Sequence, residues 1–149
     1  MKKVSFILMA LVISAFAIMS SSCAKEKGCM DPDSINYNPD AEEDDGSCEY
    51  QGRIIFWYDE AAAEYLIEND VISLKYYVDG ELVGSSAASV YYSDAPECGQ
   101  DGTVTVTKNL GKDKTKSFTY SVKDQDGVEL WSGNVTFKAN TCTAIQLCV

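Results

Sequence analysis

The residue types that most often carry out chemistry are unevenly represented in this chain. It contains 23 acidic residues and six cysteines but no histidine, so the commonest general base and transition-metal ligand is missing. Neighbouring carboxylates occur at Asp59-Glu60 and at Asp124 and Asp126. The second pair brackets a turn, whereas the acid pair of a glycosidase needs an enclosing cleft. With no glycine-rich phosphate loop either, we expect no enzymatic activity.

One cysteine carries a different kind of chemistry. Lys2 and Lys3 precede an uncharged apolar run, residues 4–19, which is followed by three serines and Cys23. This arrangement resembles the lipobox of bacterial lipoproteins, in which the cysteine is acylated and becomes the new N-terminus after cleavage. Ser20 stands where leucine is usual, a departure that Bacteroidetes lipoproteins tolerate. The resemblance implies lipidation of Cys23 and a membrane partner; an ordinary secretory signal, leaving a free thiol, is the alternative.

The rest of the chain is expected to be an exported, tethered protein. No later apolar stretch is long enough to span a bilayer, and the net charge of -11 argues against nucleic acid as a partner. Residues 23–26 partly resemble the signal that sends Bacteroidetes lipoproteins to the cell surface, although Lys27 departs from it. We therefore expect a lipid anchor in the outer membrane with display at the cell surface; an orientation towards the periplasm is the alternative.

An acidic segment follows the lipidation site. Residues 28–50 read GCMDPDSINYNPDAEEDDGSCEY, which resembles a short module of secreted and surface proteins in Bacteroidetes, GC-x-DP-x-A-x-NYNP-x-A-x-x-DDGSC-x-Y. Ser34-Ile35 stands where the module more often has alanine. Cys29 and Cys48 bracket a loop too polar to form a core, and a disulfide between them would stabilise it by about 3 kcal/mol. The chain thus divides into a signal peptide (1–22), a lipidated N-terminus with this module (23–50) and a third part (51–149).

The module also carries oxygen ligands of the type that Ca²⁺ prefers. They alternate along the chain at Asn36, Asn38, Asp40, Glu42, Asp44 and Asp45. The EF-hand pattern fails, because placing Gly46 at the sixth position of such a loop puts Ala41 at the first, where a carboxylate is required. Two interpretations remain: a low-affinity calcium site, the only cofactor indicated, or a solvated acidic spacer.

From residue 51 onwards the apolar period becomes two, which is typical of half-buried strands. Apolar side chains alternate with polar ones over residues 72–79, 103–107, 116–123 and 131–138. Asp79-Gly80 and Asp126-Gly127 are hairpin signals. About seven strands predict an all-β fold, a small antiparallel β-sandwich of immunoglobulin-like or transthyretin-like type. Residues 59–69 predict either one or two helical turns capped by Asp59 or a loop.

Three cysteines belong to this β domain. In one extended strand, Cys142 and Cys148 would lie about 20 Å apart, too far for a disulfide. Cys98 must therefore pair with one of them, and we favour Cys142, which ties a loop to the start of the last strand. Cys148 is then free, and we expect it in a protected position near the C-terminus.

Adjacent aromatic residues in strands point to opposite faces, so some must lie outside the core. Trp57, Tyr77, Tyr91 and Tyr92 are candidates for an exposed platform that stacks on sugar rings or anchors a protein; packing beneath loops is the alternative. The sequence favours a lipid-anchored, non-enzymatic binding or adhesion module for a glycan or protein. The competing interpretation is a structural subunit of an outer-membrane or surface assembly with no small-molecule ligand.

Overall fold

The computed structural model describes residues 25–149. The expected signal peptide and lipidation site, Cys23, lie outside the described residues. Ten elements follow one another: β1 (Lys27–Gly28), β2 (Glu43–Asp44), β3 (Tyr50–Trp57), α1 (Glu60–Glu68), β4 (Ser73–Val78), β5 (Glu81–Ala87), β6 (Thr105–Gly111), β7 (Thr115–Asp124), β8 (Glu129–Lys138) and β9 (Cys142–Gln146).

Seven of these strands form two sheets that pack together. One sheet has the order β6-β3-β9 and the other β5-β4-β7-β8. The predicted all-β, sandwich-like fold is confirmed. The sheets are not wholly antiparallel, however, because β9 pairs with β3 in the parallel sense. After β8 the chain turns through residues 139–141 into the other sheet and runs beside β3 in the same direction.

Side-chain alternation builds the core between the sheets, as the period of two predicts. Leu74, Tyr76 and Val78 of β4 are buried, and so are Val122 of β7 and Phe137 of β8. The intervening residues of β4, namely Ser73, Lys75 and Tyr77, are only partly buried and lie on the other face of the sheet. Burial of this apolar surface supplies the main driving force for folding.

The predicted hairpin at Asp79-Gly80 is present and joins β4 to β5. Both residues have positive φ, 56° and 76°, which is the type I′ geometry that Asp-Gly favours because its twist matches the strands. The turn at Asp126-Gly127 joins β7 to β8. There the buried carboxylate of Asp124 accepts hydrogen bonds from the backbone N–H groups of Asp126 and Val128. Asp124 therefore stabilises a turn.

The segment after β3 is helical, which settles the alternative between a helix and a loop. Asp59 caps α1 by accepting a hydrogen bond from the N–H of Ala62 at 3.0 Å, a contact typical of helix N-termini. The helix buries Ala62, Ala63 and Leu66 against the core. Ile72, expected on the inner face of the next strand, is instead 75% exposed. That strand begins one residue later, at Ser73, and Ile72 lies in the turn after α1.

The outer face of the three-stranded sheet is also covered. Ile55 points away from the central core yet has no exposed surface. Cys142, which is in register with Arg53 on this face, is joined by a disulfide to Cys98 in the long loop between β5 and β6. The predicted Cys98–Cys142 pair is thus confirmed, and it holds that loop over the sheet.

Strand directions give the sandwich two distinct ends. One end, which we call the module pole, holds the start of β3, the β6–β7 turn and the end of β8. The opposite end, which we call the helix pole, holds the end of β3, helix α1, the β7–β8 turn and the C-terminus.

Candidate functional site

The acidic module is folded onto the module pole. Its predicted disulfide, Cys29–Cys48, is present, and Cys29 is buried. Asp31 of the module accepts a hydrogen bond from the hydroxyl of Tyr50 at 2.8 Å and lies 2.6 Å from the ammonium of Lys114 in the β6–β7 turn. The same ammonium lies 3.0 Å from the carboxylate of Asp33.

These contacts shift the acid–base properties of the residues involved. The hydrogen bond and charge of Lys114, together with the hydrogen bond from Tyr50, lower the pKa of Asp31 from 3.8 to about 2. The two carboxylates raise the pKa of Lys114, and the hydrogen bond to Asp31 raises that of Tyr50. All three groups therefore keep, at neutral pH, the protonation states that hold the module in place.

One further contact joins the module to the β domain. The ammonium of Lys112 donates a hydrogen bond to the carbonyl of Gly46 at 3.1 Å. Within the module, the N–H of Ile35 bonds to the carbonyl of Glu49 at 2.8 Å, directly before β3 begins. The segment is therefore attached to the sandwich, while most of its acidic residues are exposed.

Of the six residues considered as calcium ligands, four form side-chain hydrogen bonds within the module and the other two are exposed. Oδ1 atoms of Asn38, Asp44 and Asp45 each accept a backbone N–H two residues further on, and the Asn36 amide bonds to the backbone at Ser47 and Glu49. Asp40 and Glu42 are exposed. Over residues 25–149, no group of three or more acidic or cysteine side chains is arranged to hold a metal ion. Asn38, Asp44 and Asp45 therefore stabilise turns within the loop.

The four aromatic residues proposed as a platform do not share one surface. Tyr77 lies on the outer face of the four-stranded sheet, 5.4 Å from the ammonium of Lys123. Trp57 and Tyr92 line a narrow space under the β5–β6 loop, and Tyr91 donates a hydrogen bond to Glu60 at the start of α1. The structure therefore does not bring the four residues together: Tyr77 lies on the four-stranded sheet, and the other three lie near the β5–β6 loop and the start of α1.

The helix pole carries a different surface. Among the large hydrophobic residues of the β domain, seven are exposed, and six of them lie at this pole: Tyr65, Ile67, Ile72, Tyr91, Val128 and Val149. Leu82 is the exception. Single exposed hydrophobic residues are common, but a concentration at one end of a domain indicates an interaction surface.

The surface contains an apolar cleft of about 450 Å³. It is lined by Tyr65, Leu66, Glu129, Leu130, Trp131, Cys148 and Val149. The indole N–H of Trp131 donates a hydrogen bond to the carbonyl of Cys148 at 2.8 Å, and its ring stacks on Tyr58. Trp131 thereby fixes the C-terminal residues against the start of β8, and the cleft lies between them and α1.

Cys148 is free and exposed in this cleft, so the expectation of a protected position was wrong. The chain alternates after β9, and because Leu147 enters the core, its neighbour Cys148 faces outwards. The cleft itself was not predicted from the sequence. A signal was present in α1, where Tyr65 and Ile67 lie off the face formed by Ala62, Ala63 and Leu66, giving apolar residues on more than one side of the helix.

Among residues 25–149, no helix has the length and apolar character needed to cross a membrane. No protein-family model matches the chain, and no curated protein or solved structure is significantly similar to it.

Proposed function

We propose that this chain is a lipid-anchored, non-enzymatic binding module that holds its anchor at the module pole and binds a protein at the helix pole. The anchor is Cys23, in the outer membrane, with the domain displayed at the cell surface. The observation that carries the proposal is the position of the exposed apolar side chains. Six of the seven exposed large hydrophobic side chains of the β domain gather at the end of the sandwich opposite the docked acidic module, which itself exposes Met30, Ile35 and Tyr37.

The distance between anchor and domain supports this arrangement. Cys23 precedes β1 at Lys27 by four residues, which span at most about 14 Å when extended. The module that contains β1 is attached to the β6–β7 turn through Lys112 and Lys114. A lipid on Cys23 would therefore keep the module pole near the membrane and direct the helix pole away from it.

The chemistry of the helix pole favours a protein over a glycan. Glycan sites commonly use an aromatic platform, and here Tyr77 is separated from Trp57, Tyr91 and Tyr92. The cleft offers Tyr65 and Trp131 beside aliphatic residues, and aromatic residues in partly closed apolar pockets are typical anchors of protein interfaces.

The test is photo-crosslinking in cells of the native host. In one strain a photoreactive amino acid replaces Tyr65 at the helix pole. In a control strain it replaces Leu82, which is exposed on β5. We expect a discrete protein adduct from position 65 and none from position 82. Equal adducts from both positions, or none from position 65, would contradict the proposal.

Two further results decide between orientations and functions. Protease treatment of intact cells should remove the domain if it is displayed outwards, and lysed cells control for intrinsic resistance. If the adduct at position 65 is one outer-membrane protein recovered in equimolar amount, the chain is better described as a structural subunit of an assembly. A Cys23→Ala variant should no longer incorporate labelled palmitate.

A further inference from the structure

The helix pole is acidic as well as apolar. Helix α1 carries Glu60, Glu64 and Glu68 at intervals of four residues and has no basic residue in its last turn. Glu129 lines the apolar cleft. Successive residues at this spacing lie along one side of a helix, so the glutamates form a stripe beside Tyr65.

The lysines nearest to this pole have other partners. Lys123 is in register with Glu129, but its ammonium lies over the ring of Tyr77. The ammonium of Lys75 donates a hydrogen bond to the carbonyl of Gln125. Within residues 25–149, no ion pair involves Glu64, Glu68 or Glu129.

The charge on Glu68 is also unfavourably placed in the free protein. It is the last residue of α1, and the C-terminal end of a helix carries partial negative charge, which repels a carboxylate and attracts a cation. A cation supplied from outside would relieve this repulsion and the mutual repulsion of Glu64 and Glu68.

Resting on the proposed function, we propose that the cleft at the helix pole binds a protein segment that combines an apolar side chain with a neighbouring lysine or arginine. The apolar side chain enters between Tyr65, Trp131 and Val149. The cation lies against Glu129 at the rim or against the glutamates of α1. Charge complementarity between the glutamates and this cation favours such a segment over other occupants of the surface.

The same charges disfavour two other occupants. A second copy would bring an identical acidic helix pole against this one, and like charges at an interface are costly. An anionic lipid surface would be repelled for the same reason.

Cys148 provides a local reporter for occupancy, because its exposed thiol lies in the cleft while the other cysteines of residues 25–149 are in disulfides. The full chain in mild detergent is treated with a neutral maleimide, and the rate of Cys148 alkylation is measured. Three ten-residue peptides serve as probes: one with leucine, tryptophan and lysine, one with glutamate for lysine, and one with serine for the apolar residues. We expect only the first to slow alkylation.

Matched variants assign the effect to the cleft, with peptide affinity measured by fluorescence anisotropy. Tyr65→Ser should weaken binding of the first peptide about tenfold, as expected for an aromatic anchor, whereas Leu82→Ser should not. Glu129→Gln should weaken it about threefold to tenfold. Glu42→Gln, which removes the same charge from the exposed module, should leave the affinity unchanged and so controls for non-specific attraction to an acidic protein.

The outcomes separate this inference from the proposed function. If the acidic peptide protects Cys148 as well as the basic one, or if Glu129→Gln and Glu42→Gln act alike, the inference is wrong. If no peptide protects Cys148 while position 65 still forms an adduct in cells, the inference is wrong and the proposed function stands. If neither occurs, both fail. A dimer of the full chain that Tyr65→Ser dissociates would make a second copy the occupant and also overturn the inference.

Discussion

The ammonium of Lys114 lies 2.6 Å from the carboxylate of Asp31 and joins the acidic module to the β sandwich. Lys114 also lies 5.6 Å from the centroid of the Tyr50 ring, and the hydroxyl of Tyr50 bonds to the same carboxylate. One cation thus contacts a carboxylate and an aromatic ring that contact each other. Such a closed set of contacts holds a loop that has almost no apolar core of its own.

Lys114→Met should loosen the module without unfolding the sandwich. Methionine keeps an apolar stem against Tyr50 but removes the cation that bonds to Asp31 and Asp33. We expect faster amide hydrogen exchange over residues 28–48 and unchanged exchange in β4 and β7. The matched control is Lys138→Met. Lys138 is also exposed but, unlike Lys114, makes no ion pair among the described residues. Equal exchange in the two variants would show that Lys114 does not hold the module.

Below neutral pH, the attachment of the module should weaken only in strongly acidic solution. Because the pKa of Asp31 is lowered from 3.8 to about 2 in the folded chain, its stabilising contribution is complete above pH 4 and is lost as pH falls through about 2. An NMR titration of the Asp31 carboxyl carbon should have its midpoint near 2. In Lys114→Met the midpoint should move up towards 3.8; a midpoint near 3.8 in the unaltered chain would refute the contact.

Removal of the Cys98–Cys142 disulfide should destabilise the sandwich. The bond closes a loop with a sequence separation of 44, for which the chain-entropy model gives about 4 kcal/mol as an upper value. The double variant Cys98→Ser, Cys142→Ser should lower the free energy of unfolding, measured by denaturant titration, towards that amount. Cys148→Ser, which removes a free and exposed thiol, should leave it unchanged. A similar loss in both variants would mean that Cys148 has a structural role.

Local sequence signals predicted much of the β domain. The alternation of β4 and β7, the Asp79-Gly80 turn and the Asp59 cap depend on neighbours within a few residues, and all are present. A distance limit along one strand excluded a Cys142–Cys148 bond, and of the two pairings then open to Cys98 the favoured one, with Cys142, is present. Features that depend on nearby residues could therefore be read directly from the chain.

Features that depend on contacts between distant segments could not be predicted. Nothing local to β9 indicates that it enters the other sheet beside β3, and a period of two identifies a face without naming the partner strand. The positions of Tyr77 and Trp57 on different sheets likewise depend on which strands pair. Docking of the module depends on the contact between Lys114 and Asp31. In the sequence Lys114 is an ordinary polar turn residue, and nothing near it identifies Asp31 as its partner. The cleft likewise exists only because α1, β8 and the C-terminus meet.

Gly84→Ala should reveal how closely the two sheets approach at their β5 and β6 edges. Gly84 lies on β5 opposite Tyr76, and a methyl group there would overlap Cγ1 of Val104, just before β6. Valine is stiff at χ1 and cannot move aside easily, so we expect a loss of about 1–3 kcal/mol in the free energy of unfolding. Ser85→Ala, at the next position but exposed, should change it by less than about 0.5 kcal/mol.

A double variant makes this prediction specific. Val104→Ala removes the atoms that the new methyl group would meet, so Gly84→Ala should cost less in that background than alone, a coupling of about 1 kcal/mol in a double-mutant cycle. If the two substitutions are additive, the loss in Gly84→Ala arises from the strand backbone and not from contact with Val104. Coupling would instead show that the residues before β6 are packed against β5. That contact, together with the Cys98–Cys142 disulfide, would close the loop over Trp57 and Tyr92 and keep those two aromatic residues unavailable to a ligand.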